Sequence, residues 1–255
     1  MTFSYRQLGP ECDLAPLIDA YWINESGSSE VSQGGTSCDR VLPDGCIDLV
    51  FVKHGSGAQR SRLFASALIE QPTLLDPTSA AWFVGVRLRP AMSQVLLPVS
   101  PIECRDRNID ALELDSSFAV IQEQLLDCRT PSEALATLRR HVDRQARSKT
   151  HRAPPPRVRF ALELLANGPP WMSPGEVARA LDISPRSLHR DVLSWTGHAP
   201  KVLARILRMQ RALARLRAGQ GRLADVAYDS GFADQPHMTR ELWRLTGLRP
   251  AELAR

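Results

Sequence analysis

Two stretches near the end of the chain follow one pattern at a spacing of about fifty residues. Residues 184–200 read SPRSLHRDVLSWTGHAP, and residues 234–250 read DQPHMTRELWRLTGLRP. Upstream, Val177-Ala178 aligns with Val226-Ala227, so the second copy has one extra residue in its turn. A repeat of two short helices around a tight turn predicts two helix-turn-helix heads on one chain.

In the first copy, small polar residues mark where two helices begin. Ser173, with Glu176 three residues later, resembles a capping box. Asp182-Ile183 is expected to make the turn, and Ser184 repeats the N-cap chemistry ahead of the second helix. This copy therefore reads as a short positioning helix, a turn and a second helix.

The second helix of the first copy separates an apolar face from a basic one. Spacings of four and three place three residues toward the core: Leu188, Val192 and Trp195. A different face carries Arg186, His189 and Arg190. This face lies near the helix N-terminus, the end that a recognition helix presents to base edges in the major groove.

The second copy repeats this division. Leu223–Ser230 is the expected positioning helix, and Gly231 can adopt a left-handed turn conformation. The inward residues of the next helix are expected to be Met238, Leu242 and Leu245, and the outward ones Gln235, Pro236, Thr239 and Arg240. Arg can pair with guanine and Gln with adenine, and other side chains and helix N-termini can hold phosphates. Between the copies, Pro200–Leu216 predicts one long helix that sets the separation of the heads.

These residues resemble the AraC/XylS family of bacterial transcription regulators. The resemblance covers roughly residues 157–255 and rests on Ser184-x-x-x-Leu-x-Arg190, on Gly231-Phe-x-Asp-Gln-x-His-x-x-Arg240 and on the closing Leu245-Thr-Gly-x-x-Pro250. It implies that both recognition helices enter successive major grooves of double-stranded DNA. The base-facing and phosphate-facing positions it implies are Arg186, His189, Arg190, Gln235, Pro236, His237, Thr239 and Arg240. For the two histidines, a simple exposed side chain is the alternative.

The basic residues are concentrated in the same part of the chain. Residues 151–255 contain 17 Lys and Arg against 9 Asp and Glu, a net charge of +8. Residues 1–150 contain 15 against 19, a net charge of −4. A basic module beside a mildly acidic one fits a nucleic-acid binder with a separate regulatory part, and a solvated basic surface is the alternative.

The first ninety or so residues predict β-strands. Cys46–Lys53 places alternate apolar residues on one face, and Trp82–Arg89 alternates more sharply. Polar turn signals separate these runs, which suggests a small barrel or an open sandwich. Tyr21-Trp22 and residues 40–51 and 84–90 resemble a sensor-like domain that precedes the DNA-binding module in many such regulators. That domain looks like a reduced, half-cupin-like barrel, and the resemblance implies regulation without naming a ligand.

A change of period and a proline-rich stretch divide the chain. From Ala91 the apolar spacing becomes helical, and residues 147–156 are polar and end in three prolines that favour an extended chain. We therefore expect a two-domain α+β fold. It comprises a β-rich regulatory domain at 1–147 with helices from about 93, a linker at 148–156, and an all-α tandem helix-turn-helix domain at 157–255.

The predicted function is a sequence-specific, non-enzymatic DNA-binding transcription regulator. Ligand sensing or self-association of the N-terminal domain is expected to regulate it. RNA polymerase, a small-molecule effector and a second copy of the chain are further partner hypotheses. Two alternatives are an alkyl-transfer DNA-repair enzyme fused to the same module and an architectural or adaptor protein. The enzyme would need a four-cysteine metal site or an activated cysteine.

Residues outside the repeat predict neither a cofactor nor a metal site. The cysteines form no C-x-x-C pair and are expected to be reduced: Cys12, Cys38, Cys46, Cys104 and Cys128. Cys38, Cys46 and His54 are spaced too widely for a tight zinc site, and thiol sensing by Cys12 or Cys38 is an alternative. With no run of about 18 apolar residues and no apolar signal core, a cytoplasmic location without membrane contact is expected.

Overall fold

The computed structural model describes residues 2–27, 40–55, 61–74, 80–148, 153–169, 172–219 and 221–254. The chain divides into two compact units. The first, here the sheet unit, comprises Met1–Val41, Cys46–Leu68 and Leu74–Ala153. The second, here the helical unit, comprises Leu42–Gly45, Ile69–Thr73 and Pro154–Arg255. The expected α+β organisation, a β-rich part followed by an all-α part, is confirmed.

Antiparallel strands form the centre of the sheet unit. The strands of the main sheet are β1 (Thr2–Leu8), β2 (Ile18–Gly27), β4 (Ile47–His54), β5 (Arg62–Ala65), β7 (Ala80–Leu88) and β8 (Ile109–Asp110), and a separate two-stranded sheet contains β3 (Arg40–Val41) and β6 (Thr73–Leu74). The main sheet has the order β1-β2-β7-β4-β5-β8. Strand β8 lies beyond the region that the sequence assigned to strands, because two residues are too few to show an alternating pattern.

The central strands are buried on both faces. Leu49 pairs with Val86 and Phe51 with Val84, and all four side chains lie in the main core. The inward faces predicted for these strands are therefore correct. The opposite face carries a smaller apolar cluster, which includes Trp22. Full burial of a large apolar side chain contributes roughly 1.5–3 kcal/mol, so this double burial fixes the strand register.

Helices cover the main core of the sheet unit. They are α1 (Ser93–Leu96), α2 (Ala111–Leu114), α3 (Phe118–Asp127) and α4 (Pro131–Ser148). Phe118, Ile121 and Leu125 of α3 pack into the same core as the strands, as the helical spacing predicts.

The helical unit contains two apolar cores that share one long helix. Its helices are α5 (Pro156–Asn167), α6 (Pro174–Ala180), α7 (Pro185–Thr196), α8 (Pro200–Arg217), α9 (Leu223–Asp229), α10 (Gln235–Thr246) and α11 (Pro250–Leu253). Leu203 and Ala204, early in α8, pack with α5, α6 and α7. Met209 and Leu213, later in α8, pack with α9 and α10. We call α5–α7 the first head and α8–α10 the second head.

Candidate nucleic-acid interface

Helix α7 exposes a basic N-terminal face. It begins after Ser184, whose hydroxyl accepts a hydrogen bond from the Ser187 backbone N–H at 3.1 Å. The predicted inward residues are buried: Leu188, Val192 and Trp195. The predicted outward residues are all exposed: Arg186, His189 and Arg190. Packing of the apolar stripe thus turns these polar side chains toward solvent.

Helix α10 has the same construction. It begins after Asp234, whose carboxylate accepts a hydrogen bond from the His237 backbone N–H at 2.6 Å. The predicted inward residues are buried: Met238, Leu242 and Leu245. Of the predicted outward residues, the exposed ones are Gln235, Pro236 and Arg240, and the half-buried ones are His237 and Thr239.

Helices α7 and α10 end with the same pattern of hydrogen bonds. Thr196 donates to the carbonyl of Val192 at 2.8 Å, and Thr246 donates to that of Leu242 at 2.7 Å. Each threonine oxygen also accepts from the backbone N–H two residues on, at 3.2 Å and 3.0 Å. The glycine after each helix is left-handed, with φ of 72° and 68°.

The two turns are also equivalent, and they locate the extra residue. Ile183 N–H donates to Ala178 O at 3.0 Å, and Phe232 N–H donates to Ala227 O at 2.9 Å. The residues before these donors, Asp182 and Gly231, have positive φ angles of 51° and 85°. Since the helices resume at Ser184 and Asp234, Ala233 is the inserted residue.

The repeat extends to a third helix that the sequence analysis missed. Arg157, at the start of α5, forms an ion pair with Asp191 of α7 at 2.7 Å. Arg205 of α8 forms an ion pair with Glu241 of α10 at 2.9 Å. Each carboxylate directly follows a predicted recognition arginine. The sequence does contain a signal for this third helix, because apolar residues that become buried follow each arginine at the same spacing. They are Val158, Ala161 and Leu165 after Arg157, and Ile206, Met209 and Leu213 after Arg205.

In the second head, two of the predicted contact residues form hydrogen bonds within the protein. The Thr239 hydroxyl donates to the Gln235 carbonyl at 3.0 Å. The Ala233 backbone N–H donates to His237 Nδ1 at 3.3 Å, and the His237 ring packs edge-on against Phe232 at 5.5 Å between centroids. Because Nδ1 accepts, a neutral His237 carries its proton on Nε2. The Gln235 and Arg240 side chains are exposed to solvent.

Two arginines of α8, Arg208 and Arg211, contact other parts of the helical unit. Arg211 donates to the Leu165 and Ala166 carbonyls at 2.6 Å and 3.1 Å and so satisfies the end of α5. Burial lowers the pKa of Arg208, whose guanidinium lies 5.9 Å from the Phe232 ring centroid. The Arg208 and Arg211 side chains are thus half-buried within the helical unit, whereas the Arg190 side chain is 71% exposed. The basic composition therefore overstates the charge available for DNA.

Two carboxylates of the sheet unit have structural partners. The Trp22 indole donates to Asp48 at 2.7 Å, and Arg87 lies 3.4 Å from the same carboxylate. The Tyr21 hydroxyl donates to Asp143, and burial, with this neighbouring carboxylate, raises the Tyr21 pKa. Both carboxylates are therefore engaged in contacts within the sheet unit.

The cysteines differ in accessibility. Burial raises the pKa of Cys104 to about 11, so its thiol is protonated at neutral pH. Cys12 is exposed, and Cys38 lies outside the described residues. Within the described ranges, no three His, Cys, Asp or Glu side chains group together as metal ligands. No helix in that part of the chain is long and apolar enough to cross a membrane.

Comparison with known proteins identifies the helical unit. A family model described as "Helix-turn-helix domain" matches residues 177–255. Over 78 residues the chain is 31% identical to the HTH-type transcriptional activator RhaS of Mannheimia succiniciproducens. Residues 177–255 of the helical unit therefore carry a helix-turn-helix domain. The RhaS match spans 31% of this chain and 29% of RhaS, so the chain covers less than a third of that relative's length.

The other comparisons concern the sheet unit and solved structures. A model described as "Domain of unknown function (DUF6597)" matches residues 6–110. The C-terminal domain of AraT, a response regulator from Geobacillus stearothermophilus, is 21% identical, with 40% of this chain and 85% of that chain covered and a TM-score of 0.38. ToxT from Vibrio cholerae is 11% identical, with 100% of this chain and 98% of that chain covered and a TM-score of 0.45.

Proposed function

We propose that this protein is a sequence-specific DNA-binding transcription regulator that reads two adjacent major grooves. One observation carries the proposal: the two heads present exposed arginines, Arg190 and Arg240, at equivalent positions of equally capped recognition helices. Successive major grooves recur along one face of a DNA duplex, so two equivalent basic helix ends can each bind one of them.

The exposed tips suggest separate roles for the predicted contact residues. Arg190, Arg240 and Gln235 have the donors for base edges in the major groove. In the first head, Arg186 and His189 are assigned to bases or phosphates. In the second head, Pro236 and the Thr239 methyl group are assigned to apolar contact with thymine, and His237 Nε2 to a phosphate.

Helix α8 sets the separation of the heads. Its 18 residues span about 27 Å at the usual rise of a helix. Successive major grooves on one face of B-DNA lie about 34 Å apart. Because each half of α8 belongs to a different core, the heads are expected to keep a fixed spacing.

The sheet unit is proposed to regulate DNA binding. We assign regulation to residues 1–147, through a small-molecule effector or self-association via 93–147, a linker role to 148–156 and DNA binding to 157–255. The proline run Pro154–Pro156 and the separate cores support this division. The proposal includes a non-enzymatic role in the cytoplasm and contact with RNA polymerase.

Fluorescence polarisation with a labelled duplex from the protein's own upstream region tests the proposal. Binding is expected to exceed that of random DNA and to weaken about 10³-fold or more between 50 and 200 mM salt if about six phosphates are contacted. Equal binding of both duplexes at low salt would contradict sequence-specific recognition.

Two arginine substitutions test the assigned faces. Arg190→Ala and Arg240→Ala should each weaken specific binding by about 1–3 kcal/mol, because each removes a base contact. Arg217→Ala is the control, since it removes an exposed cation from α8, off both recognition helices. The control should leave sequence preference unchanged. Unaltered affinity and preference in both recognition variants would show that the faces are misassigned.

A further inference from the structure

Among the four tryptophans that the structure describes, Trp243 of the helical unit is the exposed one. The Trp243 side chain is 53% exposed, whereas Trp22, Trp82 and Trp195 are 7–8% exposed. Leaving a large aromatic in water forgoes much apolar burial, and exposed tryptophans are enriched where partners bind.

Trp243 continues the outward stripe of α10. It lies four residues after Thr239 and three after Arg240, so it shares their face. The buried stripe of the same helix, through Met238 and Leu242, faces away. The aligned residue of the first head, Leu193, is half-buried. At this position of the repeated helix, the exposed tryptophan is therefore a feature of the second head.

The charges around Trp243 favour a polyanion as its partner. Arg240 lies one turn earlier, and Arg244 is the next residue; both are exposed. The nearby acid, Glu241, is paired with Arg205 at 2.9 Å. An apolar protein partner would have to desolvate these cations, whereas a nucleic-acid backbone would pair with them.

We propose that Trp243 contacts the DNA backbone at the wall of the second major groove, with its indole N–H donating to a phosphate. This inference rests on the proposed function. The 12 residues of α10 span about 18 Å, and the major groove is about 12 Å wide. With the helix tip at the base edges, the third turn reaches the phosphates.

This contact adds affinity without sequence information. In the second head, the Thr239 hydroxyl and His237 Nδ1 already form hydrogen bonds within the protein. The Trp243 contact compensates for the DNA contacts that these two groups do not make. The indole is a neutral donor, so its contact releases no counterion.

Binding by the full-length protein to its upstream duplex and to random DNA tests the inference. Trp243→Ala should weaken both by about threefold to tenfold, the range for one hydrogen bond, with an unchanged salt slope. Trp243→Lys should recover binding at low salt and steepen the slope by about 0.9, because a cation then pairs with a phosphate. Tyr228→Ala, which alters a 71% exposed aromatic of α9, should match wild type.

Each other outcome has a distinct meaning. If wild type binds and Trp243→Ala equals it on both duplexes, the inference is wrong and the proposed function stands. If only specific binding falls, Trp243 contacts a base, and the backbone assignment is wrong. If Trp243→Lys binds with the slope of Trp243→Ala, no phosphate is within reach, and the inference again fails. Absence of wild-type binding removes the proposed function itself.

Discussion

The two interhelix ion pairs should stabilise their heads to different extents. In the second head, the Arg205 and Glu241 side chains are 21% and 18% exposed. In the first, Arg157 is 56% exposed and Asp191 is 11% exposed. Unit charges 4 Å apart interact by about 4 kcal/mol near a protein surface and by about 1 kcal/mol in water. After desolvation, we expect a coupling energy of about 1–2 kcal/mol in the second head and below about 1 kcal/mol in the first.

Double-mutant cycles measure both couplings. One cycle combines Arg205→Gln with Glu241→Gln, and the other combines Arg157→Gln with Asp191→Asn. Native-state hydrogen exchange, read by mass spectrometry on peptides from α7 and α10, gives the opening free energy of each head separately. A first-head coupling equal to or larger than the second-head coupling would refute the reasoning from burial.

Two further predictions concern the turn and the thiols. Gly231→Ala should lower the free energy of unfolding by about 1–2 kcal/mol, because Gly231 has a positive φ of 85° that alanine adopts only with strain. Asp182→Gly at the equivalent turn, with φ of 51°, should change the free energy of unfolding by less than about 1 kcal/mol. Thermal denaturation measures both variants, and equal losses of stability would contradict this prediction. At pH 8, iodoacetamide should label Cys12 and leave Cys104 unmodified, because burial raises the Cys104 pKa to about 11; peptide mass spectrometry measures this, and equal labelling would contradict the burial.

Local patterns predicted most of the second and third helix of each head. The capping residues, the buried stripes and the left-handed Gly231 are set by neighbours a few residues away, so they can be read from the chain. The predicted inward residues of α7 and α10 are buried, and the residues that spacing places outward are exposed except for the half-buried Thr239.

Contacts between distant residues could not be predicted this way. Glu241 lies 36 residues from Arg205, and nothing local links them. The sequence likewise could not show that Arg211 caps α5, or that the Thr239 hydroxyl is used within its own helix. Burial and geometry divide structural cations from available ones, and both depend on tertiary packing.

Protection of guanine N7 from dimethyl sulfate tests the central claim most directly, because N7 lies in the major groove. One protein on its specific site should protect two groups of guanines about 10 base pairs apart. Arg190→Ala should expose guanines in one group only, and Arg240→Ala in the other only. A single protected group, or loss of the same guanines in both variants, would contradict recognition by two heads.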